Sequence, residues 1–201
     1  MNPELARIVP ALQSLQRPPQ PPGWNHSELN GLLGTSSGVP AAVLVPLRVA
    51  PRGVQVLFTK RNDALRQHAG QVSFPGGSCD PEDTGPVATA LRESAEEIGL
   101  PAAAVRPLGF LDCLDTISGF CVTPVVAEIA TEFHPHPNPE EVAEVFEVPL
   151  AVFLDPNRRR SRQVEYLGAM RTLHEFDCSG PRIWGATAAI LVNLVRRMGL
   201  A

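Results

Sequence analysis

The chain has 201 residues, 44% of them hydrophobic and 19% charged, which suits one folded domain with a substantial core and excludes a disordered chain. With 17 Lys+Arg against 21 Asp+Glu the net charge is −4. That excludes a general nucleic-acid surface, because neutralising phosphates requires a basic face.

Leu5, Ile8, Val9, Leu12 and Leu15 recur at helical spacing and predict a short amphipathic helix. Met1–Glu4 lack the features of a signal peptide. Pro18-Pro19-Gln20-Pro21-Pro22-Gly23 then makes a stiff connector, so residues 1–40 are expected to form a helix and proline-rich arm ahead of a domain over 41–201. Ala41–Leu47 and Val54–Lys60 read as strands joined through Pro51-Arg52-Gly53. Gln71–Phe74 is a further strand, ended by Pro75-Gly76-Gly77, and a helix is predicted over Pro86–Ile98. Val105–Leu114, Cys121–Ala130 and Val145–Val148 read as strands, with a short helix over Leu150–Leu154. Gln163–Leu167 and Thr172–Phe176 predict a hairpin, and Ile183–Met198 a closing helix with Arg196 and Arg197 in its last turn. Strands interrupted by few helices predict an α/β fold, an α/β/α sandwich around a mixed β-sheet. No run approaches the roughly 20 apolar residues that span a bilayer, so a soluble, cytoplasmic protein with no membrane partner is expected. Cys79, Cys113, Cys121 and Cys178 lack CxxC spacing and read as idle thiols. The basic run Arg158-Arg159-Arg160 with Arg162 reads as a solvated turn, as does His134-Pro135-His136.

The chemistry concentrates on the helix over Pro86–Ile98. Asp83 or Thr84 is the expected N-cap, Pro86 sits at the first turn and Gly99 follows the helix. Val87, Leu91 and Ile98, with Ala90, Ser94 and Ala95, form a face for the sheet, which places Glu93, Glu96 and Glu97 together on the opposite side. These acids lie where the helix dipole disfavours negative charge, Glu93 and Glu97 repel as an i,i+4 pair, and Arg92 is expected to be rotated away from them. Crowded carboxylates in an unfavourable field suit a hard divalent cation such as Mg²⁺ or Mn²⁺. Upstream, Gly76 and Gly77 let backbone N–H groups approach an anion.

Gly77 followed by Arg92-Glu93-Ser94-Ala95-Glu96-Glu97-Ile98-Gly99-Leu100 resembles the Nudix box, the loop–helix signature of Nudix hydrolases. The box usually carries a Glu between the Gly and the Arg; here Asp83 or Thr84 stands there with about one extra residue in the loop. Leu57–Arg61, Leu65-Arg66, His68, Gly70, Val72 and Phe74–Asp80 resemble the extended motif of the coenzyme A pyrophosphatase subfamily, as do Val122–Val126, Glu141-Val142, Val145–Leu150 and Trp184–Thr187.

The resemblance implies a Nudix-type sandwich and Mg²⁺- or Mn²⁺-dependent hydrolysis of the diphosphate of coenzyme A, giving 3′,5′-ADP and 4′-phosphopantetheine. It implies Glu93 and Glu97 as metal ligands, joined by Glu96 and the Gly77 carbonyl, with Arg92 orienting the carboxylates. Glu93, Glu96 and Glu141 are the candidates for the general base. His68 is a candidate phosphate donor or a loop anchor, and Arg61 and Arg66 are candidate anion contacts, with Gly76 and Gly77 also facing the substrate. The alternatives are another nucleotide substrate (NADH, ADP-ribose or a nucleoside triphosphate) and a non-catalytic binding module on the same fold. A homodimer through the N-terminal helix and arm is compatible with the sequence.

Overall fold

The computed structural model describes residues 2–29, 38–64, 68–178 and 180–200. Its first half runs α1 (Pro3–Ile8), β1 (Val39–Ala50), β2 (Gly53–Arg61), β3 (Val72–Ser73), β4 (Gly76–Ser78) and α2 (Pro86–Ile98). The second half runs β5 (Val105–Phe110), β6 (Leu114–Asp115), β7 (Phe120–Ile129), β8 (Val142–Pro149), α3 (Leu150–Leu154), β9 (Arg159–Tyr166), β10 (Ala169–Phe176), β11 (Ile183–Trp184) and α4 (Gly185–Arg197).

β1 is the spine of an eight-stranded sheet. It forms a hairpin with β2, Leu47 opposite Val56, and runs parallel to β7 from Val39 opposite Phe120 to Arg48 opposite Ile129. The other pairings in this sheet are antiparallel: β4 with β1, β3 and β8 with β2, β5 and β6 with β7. The sheet is therefore mixed, as expected. β9, β10 and β11 make a second, three-stranded sheet.

Alternation along β1 divides the core. Ala41, Val45 and Leu47 point to one side with Val56 and Phe58, where Leu5 and Ile8 of α1, Phe153 of α3 and Ile190, Leu191 and Leu194 of α4 cover them. Ala42 and Leu44 point to the other side with Leu57, Val125 and Ala127, under Ala90 and Ile98 of α2. Three layers result, an α/β/α sandwich.

Several boundaries differ from the sequence reading. α1 stops at Ile8 and passes into a 3₁₀ turn over Val9–Ala11, because Pro10 has no N–H to continue the ladder. The predicted strand Val105–Leu114 is two strands, with the register on β7 broken between Pro107 and Gly109. α4 begins at Gly185, since Ile183 and Trp184 instead pair with Phe176 and Glu175. The apolar face of α1, a candidate homodimer contact, is filled by the chain's own core: Leu5 and Ile8 are fully buried. The segment is tied down at further points. The Val54 N–H donates to Glu4 (2.6 Å), Gln13 bridges Phe110, and Arg197 donates to the Ala11 carbonyl (2.6 Å) and to Asp112 (2.7 Å).

Candidate active site

Helix α2 starts at Gly85, whose φ of 148° is open to glycine, with Pro86 in the first turn and no side-chain cap. Neither Asp83 nor Thr84 is the N-cap, contrary to expectation. The Asp83 carboxylate is committed elsewhere: it accepts from Arg92 Nε (3.2 Å) and Nη2 (3.0 Å), Thr89 Oγ1 (2.8 Å) and the Asp80 N–H (2.9 Å). These bonds, led by Arg92, hold its pKa well below the usual carboxylate range. At the other end Gly99 adopts the left-handed conformation (φ 68°), with its N–H on the Ala95 carbonyl and that of Leu100 on Ser94.

The three acids of α2 are not equivalent. Glu96 has its side chain 56% exposed. Glu97 is only 3% exposed and lies on the buried stripe with Ala90, Ser94 and Ile98, a correction to the reading that set it opposite the sheet-facing residues. Seven residues bring Glu97 to within about 20° of Ala90 around the helix, so the spacing itself carries this placement. Its carboxylate accepts from the Gly76 N–H (3.3 Å) and lies 3.9 Å from Arg61 Nη1. Burial outweighs both contacts and pushes the Glu97 pKa up to about 8, with Glu93 and Glu141 adding repulsion. Burial also raises Glu93, which Arg92 partly offsets.

Arg92 is not rotated away from the acids. Its long side chain places Nη1 2.9 Å from Glu93 and 3.4 Å from Glu96, while Nη2 donates to the Ser78 carbonyl (3.1 Å). One guanidinium thus ties α2 to β4 and to the loop carrying Asp83. Beside it, a Cβ placed on Gly77 would sit 2.5 Å from Glu93 Oε1, so any larger residue there would push the Glu93 carboxylate from its present position.

Glu141 arrives from far along the chain. The N–H groups of His136 and Asn138 cap the Ile98 and Glu97 carbonyls (2.9 and 2.8 Å), Asn138 Nδ2 donates to Glu141 (3.3 Å), and the Glu141 carbonyl receives the Asn62 N–H (2.8 Å). This loop sets the Glu141 charge against both Glu93 and Glu97. His134 and His136 are exposed, and the backbone of His136 serves only to close the helix.

The remaining candidates are less concentrated. Arg61 faces Glu97, and its buried Nε has no hydrogen-bond partner among the described residues. His68 is exposed, with Nδ1 3.0 Å from Gln71 Oε1, a contact that anchors its own loop. Arg66 lies outside the described residues. Residues not singled out for the site from the sequence are Ser78, which acts through its carbonyl, and Asn138, which lies on a loop that carries no residue-type signal; Asp83 is read there as a cap or as the stand-in for the Glu of the box, not as the partner of Arg92.

Among the described residues no three His, Cys, Asp or Glu side chains already converge at metal-ligand spacing. Glu93 is turned to Arg92, and Glu97 to Gly76 and Arg61. The donor set nevertheless fits a hard cation, because a buried carboxylate crowded by two others is stabilised by a positive charge, and oxygen donors suit Mg²⁺ or Mn²⁺. Glu93, Glu97, Glu96 and the Gly77 carbonyl are the groups that could hold it.

Comparison with known proteins agrees with this loop–helix. The family model described as NUDIX domain matches residues 39–167. A relative from Yersinia enterocolitica, described as an uncharacterized Nudix hydrolase NudL, is 42% identical over 160 residues, 80% of this chain and 82% of the relative. A second from Yersinia pestis, with the same description, is 40% identical over 160 residues, 80% of each chain. The crystal structure of a Nudix hydrolase from M. smegmatis, RenU, is similar at 30% identity and a TM-score of 0.48, over 56% of this chain and 71% of that one. The chain belongs to the Nudix hydrolase family and is a Nudix pyrophosphohydrolase.

Proposed function

We propose that this enzyme hydrolyses the diphosphate bond of coenzyme A or its derivatives with the help of Mg²⁺ or Mn²⁺, giving 3′,5′-ADP and 4′-phosphopantetheine. One observation carries the metal dependence: Glu97 is 3% exposed and beside two further carboxylates, yet its contacts are one backbone N–H at 3.3 Å and a guanidinium at 3.9 Å. Such a group stays ionised at neutral pH when a hard cation joins it. The cation, when bound, neutralises charge on the diphosphate and lowers the pKa of a bound water. Glu93 and Glu97 are its main ligands, with Glu96 and the Gly77 carbonyl completing the protein's share.

The chain's own residues supply the rest. Arg92, held by Asp83, orients Glu93. In this reading Glu141, whose charge reaches Glu93 and Glu97, takes a proton from the attacking water, a role for which Glu93 and Glu96 are the other candidates. Arg61 and Gly76 line the same edge and meet the anionic substrate, and His68 and Arg66, between them in sequence, are further candidate contacts. The coenzyme A assignment rests on the resemblance of Leu57–Arg61 and His68–Asp80 to that subfamily. The last part of that stretch lies directly on α2, where the Gly76 N–H meets Glu97 and the Ser78 carbonyl meets Arg92. The substrate is a small molecule, and the compartment the cytoplasm.

The test offers purified protein coenzyme A, NADH, ADP-ribose and nucleoside triphosphates with Mg²⁺ or Mn²⁺, and separates products chromatographically. 3′,5′-ADP from coenzyme A is the expected result. Turnover of another compound with coenzyme A left intact would overturn the substrate assignment.

A further inference from the structure

The loop that carries Glu141 has few backbone donors. Pro135, Pro137 and Pro139 lack an N–H, which leaves His136 and Asn138 as the donors between them. Both point at the end of α2, to the Ile98 and Glu97 carbonyls (2.9 and 2.8 Å). Two asparagine side chains then fix how the rest of the loop lies. Asn138 Oδ1 accepts the Glu140 N–H (3.1 Å), which turns its Nδ2 to the Glu141 carboxylate, 3.3 Å from Oε1. Asn62 stands just past the end of β2. Its Oδ1 accepts the Ala64 N–H (2.9 Å), its Nδ2 donates to the Pro139 carbonyl (2.6 Å), and its own N–H donates to the Glu141 carbonyl (2.8 Å). In each amide the oxygen meets a donor and the nitrogen an acceptor, so neither can flip without losing both bonds.

From this arrangement we infer that Asn62 and Asn138 are positioning residues for Glu141: Asn62 ties its loop to the end of β2, and Asn138 fixes the direction of its carboxylate. The inference rests on the reading of Glu141 as the base. A base must stay within hydrogen-bond reach of the proton it takes, and a glutamate side chain on a loop has several rotamers to choose from. Glu93 and Glu97 repel the Glu141 charge, so a carboxylate without its amide partner swings away from α2. The Asn62 bond to Pro139 joins chain segments 77 residues apart and holds the loop sideways, where the α2 contacts alone let it pivot. A displacement of about 1 Å at such a group costs about 100-fold in rate. Neither asparagine side chain touches Glu93 or Glu97. The contact of Asn138 with Glu97 is made by its backbone N–H and survives substitution.

The experiment uses the full chain with Mg²⁺ and measures kcat and KM for Asn62→Asp, Asn138→Ser and Glu141→Gln, and for each asparagine change combined with Glu141→Gln. Both asparagine variants keep an oxygen for the Ala64 or Glu140 N–H, so the local turns persist while the donor to Pro139 or Glu141 is lost. Each is expected to lose about 10- to 100-fold in kcat, with KM and Mn²⁺ affinity as in wild type. Added to Glu141→Gln, each is expected to cost less than about twofold more, because it acts through that carboxylate. Additive losses, weakened Mn²⁺ binding, or wild-type kcat in the asparagine variants beside an impaired Glu141→Gln would sink the inference alone. Wild-type kcat in Glu141→Gln would instead remove the reading of Glu141 as the base, and the inference with it. The comparison runs on whichever diphosphate the enzyme turns over, so it stands apart from the coenzyme A assignment.

Discussion

Helices α2 and α4 are each thirteen residues long and pack on opposite faces of one sheet, yet they obey different rules. α4 buries nine residues, among them only Thr187 and Asn193 as polar groups, and both are hydrogen-bonded: Thr187 to the Val72 carbonyl, Asn193 to Asp112. Arg196 and Arg197 sit in its last turn, where the helix dipole favours cations. α2 buries five residues, and one is Glu97, an acid in the last turn against the dipole and out of water. A helix whose buried polar groups are bonded and whose last-turn charges suit its dipole is there to hold the sandwich together. One that breaks several preferences at a single point, while the rest of the helix obeys them, marks where stability has been traded for chemistry.

That contrast can be broken most sharply at Glu97. Glu97→Gln is expected to lower metal-dependent hydrolysis by about three orders of magnitude, read as kcat/KM. In chelator, the same change is expected to make the fold more stable at neutral pH. The sign follows from the raised pKa: the folded protein holds the Glu97 proton up to about pH 8, while the unfolded chain releases it near 4.5. Stability from this group is therefore full below about pH 4.5 and declines as pH rises towards 8, by a few kcal/mol at most. Wild type with chelator should show this fall in melting temperature, and Glu97→Gln should flatten it. Equal slopes in the two proteins would remove the argument for a destabilised acid.

Asp83 provides the next test. Asp83→Asn frees Arg92 and loses the bidentate contact, and a drop in kcat of about 10- to 100-fold is expected, with KM little changed. Asp83→Glu should recover part of that loss if positioning is the cause. Gly77→Ala forces the Glu93 carboxylate to move and is expected to cost about tenfold in kcat. On the α4 side, Arg197→Ala removes bonds to Ala11 and Asp112 and is expected to lower stability by about 1–3 kcal/mol in denaturant melts with kcat unchanged. The smallest effect belongs to Arg162→Ala on exposed β9, within about 0.5 kcal/mol and without kinetic consequence.

The contrast also explains what could be read in advance. Strands and helices obeying period two or 3.6 were visible, down to the closing helix and the glycine cap at Gly99. The Arg92–Leu100 signature was equally plain. What escaped was where long side chains reach: Arg92 bends back to Glu93 and Glu96, although Arg92 to Glu96 is an ordinary i,i+4 spacing. Asp83 looked like a cap because caps are local, whereas its true partner lies nine residues on. Glu141 is named from the resemblance, but what brings it near Glu93 and Glu97 is the loop after β7 capping the end of α2, a tertiary fact with no local signature. Gly76 and Gly77 read as a turn but form a strand on β1, since the pairing partner was far away in sequence.

The central claim is that α2 carries a divalent-cation site. Electron paramagnetic resonance titration of Mn²⁺ into wild type and Glu97→Gln, with folding checked by circular dichroism, tests it most directly. The account predicts saturable Mn²⁺ binding to wild type that weakens at least tenfold in the variant. Identical titrations from two folded proteins would contradict it.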